Sequence, residues 1–227
     1  HGYLRRFGGD SEVRRYRGLL SEKLYEEFQK YMTDDWPWCG DVLTYANAKL
    51  PHVLLMSGKW MQRNDMIDLG KRVLRWLLEI QTNKNGHLSP VGTDGWYPKN
   101  GKKAQFDQQA IEAHALVDAC IEAYHVTRED HWIEQAKKAF YWYLGENDIR
   151  TPVYDFTTGG CRDGIHSDRL NENQGAESTL AWLMSLLQMQ DLQMELSLAE
   201  IPADKPTEKR PVRKPIGTAG PVVRTKS

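Results

Sequence analysis

Apolar residues recur at helical spacing along most of the chain, and two kinds of helix alternate. Residues 64–81 and 129–144 carry one apolar stripe backed by charged side chains, which is typical of a helix on the outside of a bundle. Residues 44–62, 107–124 and 172–189 are apolar or small almost all round, which indicates helices enclosed on several sides. The pattern therefore predicts an inner row of helices wrapped by an outer row.

Three helical hairpins follow from this alternation, with the first outer helix predicted to begin at the N-cap residue Ser21. The predicted fold class is all-α, with one hairpin domain over residues 21–192. Residues 1–20 are basic and poorly periodic, so we interpret them as a solvated face or a linker. Residues 193–227 are rich in Pro, Lys and Arg and lose the apolar pattern, which predicts a disordered tail.

The start of the second inner helix recurs, altered, at the start of the third. At an offset of 65 residues the aligned pairs are Asp107 with Glu172, Gln109 with Gln174, and Glu112 with Glu177. The same shift takes Glu112 back to Asn47. Self-similarity at a fixed period is the sequence signature of a repeated structural unit. Each of the two aligned copies places an acid and a carboxamide at the mouth of a buried helix.

Long loops precede the inner helices, and loops of this length without structure of their own are usually functional. The longest are Asn83–Gln105 and Gly145–Asn171, both rich in Gly, Asp and aromatic residues. Because every such loop leads into an inner helix, we expect the loops to gather at one rim of the bundle. The N-terminal turns of the inner helices should point to the same place, where they favour negative charge.

Four carboxylates at this rim are the catalytic candidates. Glu112 and Glu177 lie inside apolar helices, so each must be paired or have a raised pKa, the condition for a general acid. Asp107 and Glu172 are substitutes, and N-terminal capping explains them equally well. The carboxamides three residues before each glutamate are placed to orient it.

Aromatic side chains in the loops have two interpretations. Trp36 and Trp38 flank a proline close to Asp41, and Trp96 and Tyr97 form a second aromatic pair in the next long loop. Such indoles either plug the end of a helical bundle or form a platform for the C–H face of a sugar ring. The candidate sugar-binding side chains are Trp36, Trp38, Asp41, Asn47, Trp96, Tyr97, Gln109, Arg162, Asp163 and Gln174.

Two resemblances add to this interpretation. The alternation of inner and outer helices resembles the (α/α) toroid of the six-hairpin glycosidase superfamily. Residues 107–112, 159–164 and 171–178 are similar to the helical domain at the C-terminal side of many bacterial family-4-type glycosyltransferase polypeptides, and this similarity covers roughly Trp36–Met189. The resemblance implies carbohydrate handling and a partial (α/α) toroid of about three hairpins. Toroids of this kind close with six or seven, so it also implies completion by an N-terminal domain or by a second copy.

Three functions remain open at this point. The first is glycoside-bond chemistry, in which one carboxylate protonates the leaving group and the other activates water or attacks the anomeric carbon. The second is noncatalytic glycan binding or scaffolding for a glycosyltransferase, since the chain has no strand and glycine fingerprint for a nucleotide sugar. The third is sugar epimerisation, which requires cavity-facing histidines such as His114.

Composition excludes several other classes. The net charge of −1 gives no electrostatic reason to expect nucleic acid, and no apolar run is long enough to span a bilayer. Cys39, Cys120 and Cys161 are widely spaced and odd in number, which argues against a disulfide framework and a zinc site. We therefore expect no metal and no cofactor, a sugar or oligosaccharide as the partner, and a cytoplasmic location.

Overall fold

The computed structural model describes residues 2–200, which are mostly α-helical. The helices are α1 (Gly2–Arg6), α2 (Ser11–Tyr31), α3 (Lys49–Met61), α4 (Asn64–Ile80), α5 (Ala110–Thr127), α6 (His131–Tyr141) and α7 (Ala176–Glu200). The short strands are β1 (Val42–Leu43), β2 (Tyr97–Pro98), β3 (Gln108–Gln109), β4 (Gly164–Ile165) and β5 (Leu170–Asn171). The mostly helical fold class is confirmed.

The helices form an inner row, α3, α5 and α7, and an outer row, α2, α4 and α6. Helix α5 lies in the middle, because it packs against α3 and α7 within its own row and against α4 and α6 in the outer row. Helices α2 and α4 pack against α3, and α6 packs against α7. The predicted order of outer and inner helices is thus the observed one.

Burial explains why the two rows differ in sequence. Every residue of α5 from Glu112 to Tyr124 is buried, so the helix is apolar or small nearly all round. Helices α4 and α6 bury one side each and expose the other, as their single apolar stripes require. Enclosure on several sides is therefore confirmed for α5, whereas α3 and α7 each leave one side uncovered.

The two largest differences from the predicted boundaries are at the start of α2 and the end of α7. Helix α2 begins at Ser11, ten residues before Ser21, because the side chain of Asp10 accepts a hydrogen bond from the backbone N–H of Val13 at 3.0 Å and so caps the helix. Helix α7 continues through Glu200, past the predicted end of the domain at residue 192, since no helix breaker occurs before Pro202. The predicted disordered tail otherwise lies outside the described residues.

A buried carboxylate fixes the loop between α4 and α5. The side chain of Asp148, in the loop after α6, receives Asn83 Nδ2 at 2.9 Å, Ser89 Oγ at 2.6 Å and Gln108 Nε2 at 2.5 Å, and His87 Nε2 lies 2.8 Å from it. Burial acts to raise the pKa of Asp148, but the hydrogen bonds from Ser89, His87 and Gln108 outweigh it and hold the pKa below its ordinary value. The two long loops are thereby joined beneath the rim.

Glycines set the distance between α3 and α4. A Cβ atom on Gly58 would lie 2.7 Å from Ile67 Cγ1 and 2.9 Å from the carbonyl oxygen of Arg63. A Cβ atom on Gly70 would lie 2.9 Å from Leu55 Cγ. Helices α3 and α4 can therefore approach each other this closely only because residues 58 and 70 have no side chain.

Alanine at Gly58 should destabilise the protein by about 1–3 kcal/mol, because the added methyl group forces the α3–α4 pair apart. The matched control is Gly18→Ala in α2, where a Cβ atom meets nothing within 4 Å. There the higher helix propensity of alanine should stabilise the protein by about 0.5–1 kcal/mol. Urea unfolding of both variants measures the two changes. If both substitutions changed the free energy of unfolding in the same direction, the assigned packing would be contradicted.

Candidate functional site

The three long loops meet at one rim of the bundle, as the sequence predicts. Strand β1 pairs with β2, which joins the loop before α3 to the loop before α5. Strand β4 pairs with both β3 and β5, which joins the loop before α5 to the loop before α7. The N-terminal ends of α3, α5 and α7 therefore share this rim.

Glu112, the third residue of α5, holds the loop segment before α3. One carboxylate oxygen accepts the backbone N–H of Ala46 at 2.5 Å, and the other accepts the backbone and side-chain N–H groups of Asn47 at 3.4 Å. The residue is only 3% exposed. Burial raises the pKa of Glu112 to about 7, although the hydrogen bonds from Ala46 and Asn47 act in the opposite direction. This carboxyl group can therefore carry a proton near neutral pH.

Glu177, the second residue of α7, reaches the same loop segment from the other side. The hydroxyl of Tyr45 donates to Glu177 Oε2 at 2.5 Å, and this hydrogen bond raises the pKa of Tyr45 to about 12. The charge of Glu177 also adds to the raised pKa of Glu112. Unlike Glu112, Glu177 is exposed. The structure thus brings the two predicted carboxylates together on one segment, which we call the bridging segment, residues 45–47.

The backbone of the bridging segment is held in an uncommon conformation. Ala46 has a φ of +49°, in the left-handed region that costs a residue with a Cβ atom about 1–2 kcal/mol. Its N–H group is the donor to Glu112. Asn47 closes the turn, because its side chain accepts the N–H of Thr44 and donates to the carbonyl of Thr44, both at 2.9 Å. The loop geometry at the rim therefore depends on Glu112 and Asn47 together.

Asp107 belongs to a separate pair. Its Oδ1 lies 2.5 Å from His166 Nδ1, and both side chains are partly exposed. They border an open cavity of about 390 Å³, whose other lining residues are Asp94, Gln105, Phe106, Ser167, Asp168 and Arg169. Asp107 was a candidate from sequence, whereas His166 was not, because its position in the third loop does not match the 65-residue repeat or any helical spacing.

Four of the predicted side chains bond to each other or to their own loop before α7. Arg162 Nε donates to Glu172 at 3.1 Å, and Asp163 accepts the backbone N–H of Gly175 at 2.7 Å. Gln174 Nε2 donates to Asp155 at 3.0 Å. These contacts shape the loop that leads into α7, where Asp163 accepts the N–H of the residue before the helix and Glu172 pairs with Arg162.

The two indoles of the first loop are buried. Trp36 and Trp38 are each 5% exposed and pack edge-on or tilted against Trp76, so neither offers a ring face to a ligand. Tyr97 is half-buried with its ring centroid 5.3 Å from that of Trp36, and Trp96 is also half-buried against the core. The bundle-plug alternative is the one that the structure shows for the two indoles.

The remaining two predicted side chains are not drawn into this cluster. Asp41 is exposed, and its backbone carbonyl accepts the N–H of Lys99 at 2.7 Å beside the β1–β2 pair. Gln109 is the N-cap residue of α5, but its side chain makes no capping hydrogen bond. Both lie in the strands or turns of the rim, so they stay candidates by position alone.

A polar stripe runs along α5, and only its first residue, His114, was a candidate from sequence. His114, Asp118 and Glu122 follow one another at a spacing of four residues on an otherwise apolar helix, and all three are buried. Asp118 forms an ion pair with Lys49 of α3, and His114 Nδ1 lies 3.1 Å from Ser185 Oγ of α7. The spacing itself was the available signal, because a polar or ionisable residue at every turn of a buried helix must face partners on its neighbours.

The stripe leads into a groove between α3, α5 and α7. The groove encloses about 340 Å³ and is lined by His52, Met56, Asp118, Ile121, Glu122, His125, Gln188, Asp191, Leu192 and Glu195. Burial lowers the pKa of His52 to about 4, so this imidazole is neutral at physiological pH. His125 Nε2 lies 2.8 Å from Glu195 at the lower end. The lining is thus rich in hydrogen-bond acceptors.

Comparison with known proteins does not identify the chain: no protein-family model matches it, and no curated protein shows significant similarity. Between residues 2 and 200, no group of three or more His, Cys, Asp or Glu side chains is arranged to hold a metal ion. None of the helices in the same range combines the length and the apolar character needed to cross a bilayer.

Proposed function

We propose that this chain is a carbohydrate-acting domain, part of an (α/α) toroid, that cleaves glycosidic bonds at the rim formed by α3, α5 and α7. The observation that carries the proposal is the convergence of two carboxylates, Glu112 and Glu177, on the bridging segment. They come from equivalent positions of two copies of one sequence motif. Retaining and inverting glycosidases both work with two carboxyl groups on either side of the scissile bond.

Their different surroundings assign the two roles. Glu112 is the general acid, because its raised pKa keeps part of the population protonated at neutral pH. It gives its proton to the glycosidic oxygen as the bond to the anomeric carbon breaks. The exposed Glu177, hydrogen-bonded by Tyr45, takes a proton from the attacking water or bonds to the anomeric carbon itself. Substrate binding has to displace the N–H of Ala46 from Glu112.

We assign the rest of the sugar to the groove between α3, α5 and α7, whose lining on α5 begins at Asp118, six residues after Glu112. The carboxylates of the groove and its neutral His52 accept hydrogen bonds from hydroxyl groups, and Met56 and Leu192 offer apolar contact to ring C–H groups. Its volume of about 340 Å³ falls within the range of small-molecule sites.

Noncatalytic glycan binding is the second candidate, and the burial of Glu112 favours it. A carboxylate that is 3% exposed and already accepts three N–H groups acts as an anchor for the loop, which is a structural role. The epimerase alternative has no comparable support, since His114 is buried between Ser185 and Asp118.

Glu112→Gln and Glu177→Gln should each lower the turnover of a panel of aryl glycosides by about 100-fold or more, because each removes one of the two proton-transferring groups. Oligosaccharide affinity, measured by calorimetry, should change little. Glu134→Gln on the exposed side of α6 is the matched control and should leave both quantities unchanged. If the native chain binds glycans without turning over any glycoside, the binding function replaces the hydrolytic one.

A further inference from the structure

Helix α7 has the sequence of an enclosed helix but leaves one apolar face open. Against α5 and α6 it buries Ala181, Trp182 and Leu192. On the other side it exposes six large apolar residues at helical spacing: Leu180, Leu183, Met184, Leu187, Met194 and Leu198. Helix α5, equally apolar, is buried on all sides. Contiguous exposed apolar patches on soluble proteins mark interaction sites.

The opposite end of the inner row is also apolar and open. Helices α2 and α3 expose Tyr16, Leu19, Leu20, Val53 and Trp60. A shallow cavity of about 330 Å³ lies between these two helices, lined by Val13, Tyr16, Arg17, Leu20, Ser21 and Val53. We call this surface the α2–α3 edge.

The two open surfaces carry opposite charges. Helix α7 contains no lysine or arginine, and its exposed Asp191 lies within the apolar stripe, whereas Glu177 and Glu195 already bond to Tyr45 and Arg128 of the same chain. Helix α3 contains no acidic residue; its Lys49 is paired with Asp118 of the same chain, and its Lys59 contributes positive charge to the edge. The first half of α2 adds Arg14, Arg15 and Arg17 against the single acid Glu12. Complementary charge steers association and fixes which surfaces meet.

We propose that the open face of α7 binds the α2–α3 edge of a second copy of this chain, head to tail. In such an assembly the inner row α3, α5, α7 continues into α3 of the next copy. The acidic side of α7 then faces the basic α2–α3 edge of the next copy, and the apolar stripe of α7 fills the shallow cavity. Contacts between two different surfaces of identical chains generate closed rings or open filaments, according to the rotation between copies. The inference does not depend on the proposed glycosidase activity.

Sedimentation velocity on the 227-residue chain between about 1 and 100 μM should show an assembly that dissociates on dilution. Leu187→Glu at the centre of the α7 stripe and Leu20→Glu on the α2–α3 edge should each raise the dissociation constant at least about tenfold, since a charge then enters the apolar contact. Both side chains are exposed, at 60% and 68%, so the fold should be unaffected. Circular dichroism checks this.

Two further measurements decide the arrangement. Phe156→Glu, at an apolar side chain that is 82% exposed in the loop before α7, is the control and should leave assembly unchanged. An equimolar mixture of Leu187→Glu and Leu20→Glu should recover dimers, because one partner keeps an intact α7 face and the other an intact α2–α3 edge. A chain that stays monomeric at 100 μM overturns the proposal, including the case in which residues 201–227 cover α7. A mixture that recovers nothing overturns the head-to-tail contact.

Discussion

Replacing Glu112 with glutamine is expected to remove about 3 kcal/mol of the pH dependence of folding stability. The pKa of Glu112 rises from an ordinary value near 4.5 in the unfolded chain to about 7 in the folded one. The protonated carboxyl group therefore favours folding below about pH 4.5, and this contribution is lost as the pH rises through about 7. The difference between these two pKa values corresponds to about 3 kcal/mol.

Urea unfolding of the native chain and of Glu112→Gln at pH 5 and pH 8 measures this effect. The free energy of unfolding of the native chain should fall more steeply over this range, and the difference between the two proteins isolates Glu112 from other titrating groups. Glu172→Gln serves as the control, since that carboxylate is exposed beside Arg162. Parallel pH profiles for the native chain and Glu112→Gln would show that Glu112 is not a buried acid.

Hydrophobic periodicity was sufficient to predict the helix order. A helix surrounded by others loses its polar face, and a helix at the surface keeps one, so α5 and α4 could be told apart from sequence. The start of α2 could not be predicted in this way. Its first turn is capped by Asp10, and the few apolar residues among its first ten are interrupted by arginines and stay at the surface instead of entering the core.

The carboxylates of the site could be predicted, but their partners could not. Glu112 and Glu177 were found because a repeated motif places them inside apolar helices, where a charge needs an explanation. Tyr45 was assigned to the following helix as an apolar residue, whereas it lies in the loop and donates to Glu177. Contacts across 132 residues depend on how loops pack, and local sequence spacing does not encode them.

For the two tryptophans of the first loop, too, the sequence could not identify the partners that decide their role. Trp36 and Trp38 lie next to carboxylates in a polar loop, which suits either burial or sugar binding, and only their packing against Trp76 distinguishes the two. Trp76 follows Trp36 by 40 residues and Trp38 by 38, and it is half-buried on α4. An aromatic residue in a loop therefore predicts a ligand site only when the core beneath it is already filled.

Asp148→Ala is expected to destabilise the protein by about 3–5 kcal/mol at pH 7, because it leaves several buried donors without an acceptor. His87, Ser89 and Gln108 are all buried, and the Asp148 side chain that accepts from this loop is itself only 4% exposed. For a domain of about this size such a loss corresponds to a fall in Tm of about 10 °C. Thermal unfolding followed by circular dichroism measures it.

The control for this variant is Asp34→Ala, which removes a fully exposed carboxylate paired with Arg72 and should leave Tm unchanged. The effect of Asp148→Ala should also extend to the rim. Gln108 lies in β3, whose pairing with β4 joins two of the three loops there, so loss of its acceptor loosens the frame that carries the entrance to α5. Amide hydrogen exchange should therefore accelerate at residues 82–109 and 164–165 before it does in α4. If exchange rises uniformly along the chain instead, Asp148 contributes to global stability alone and does not hold the rim.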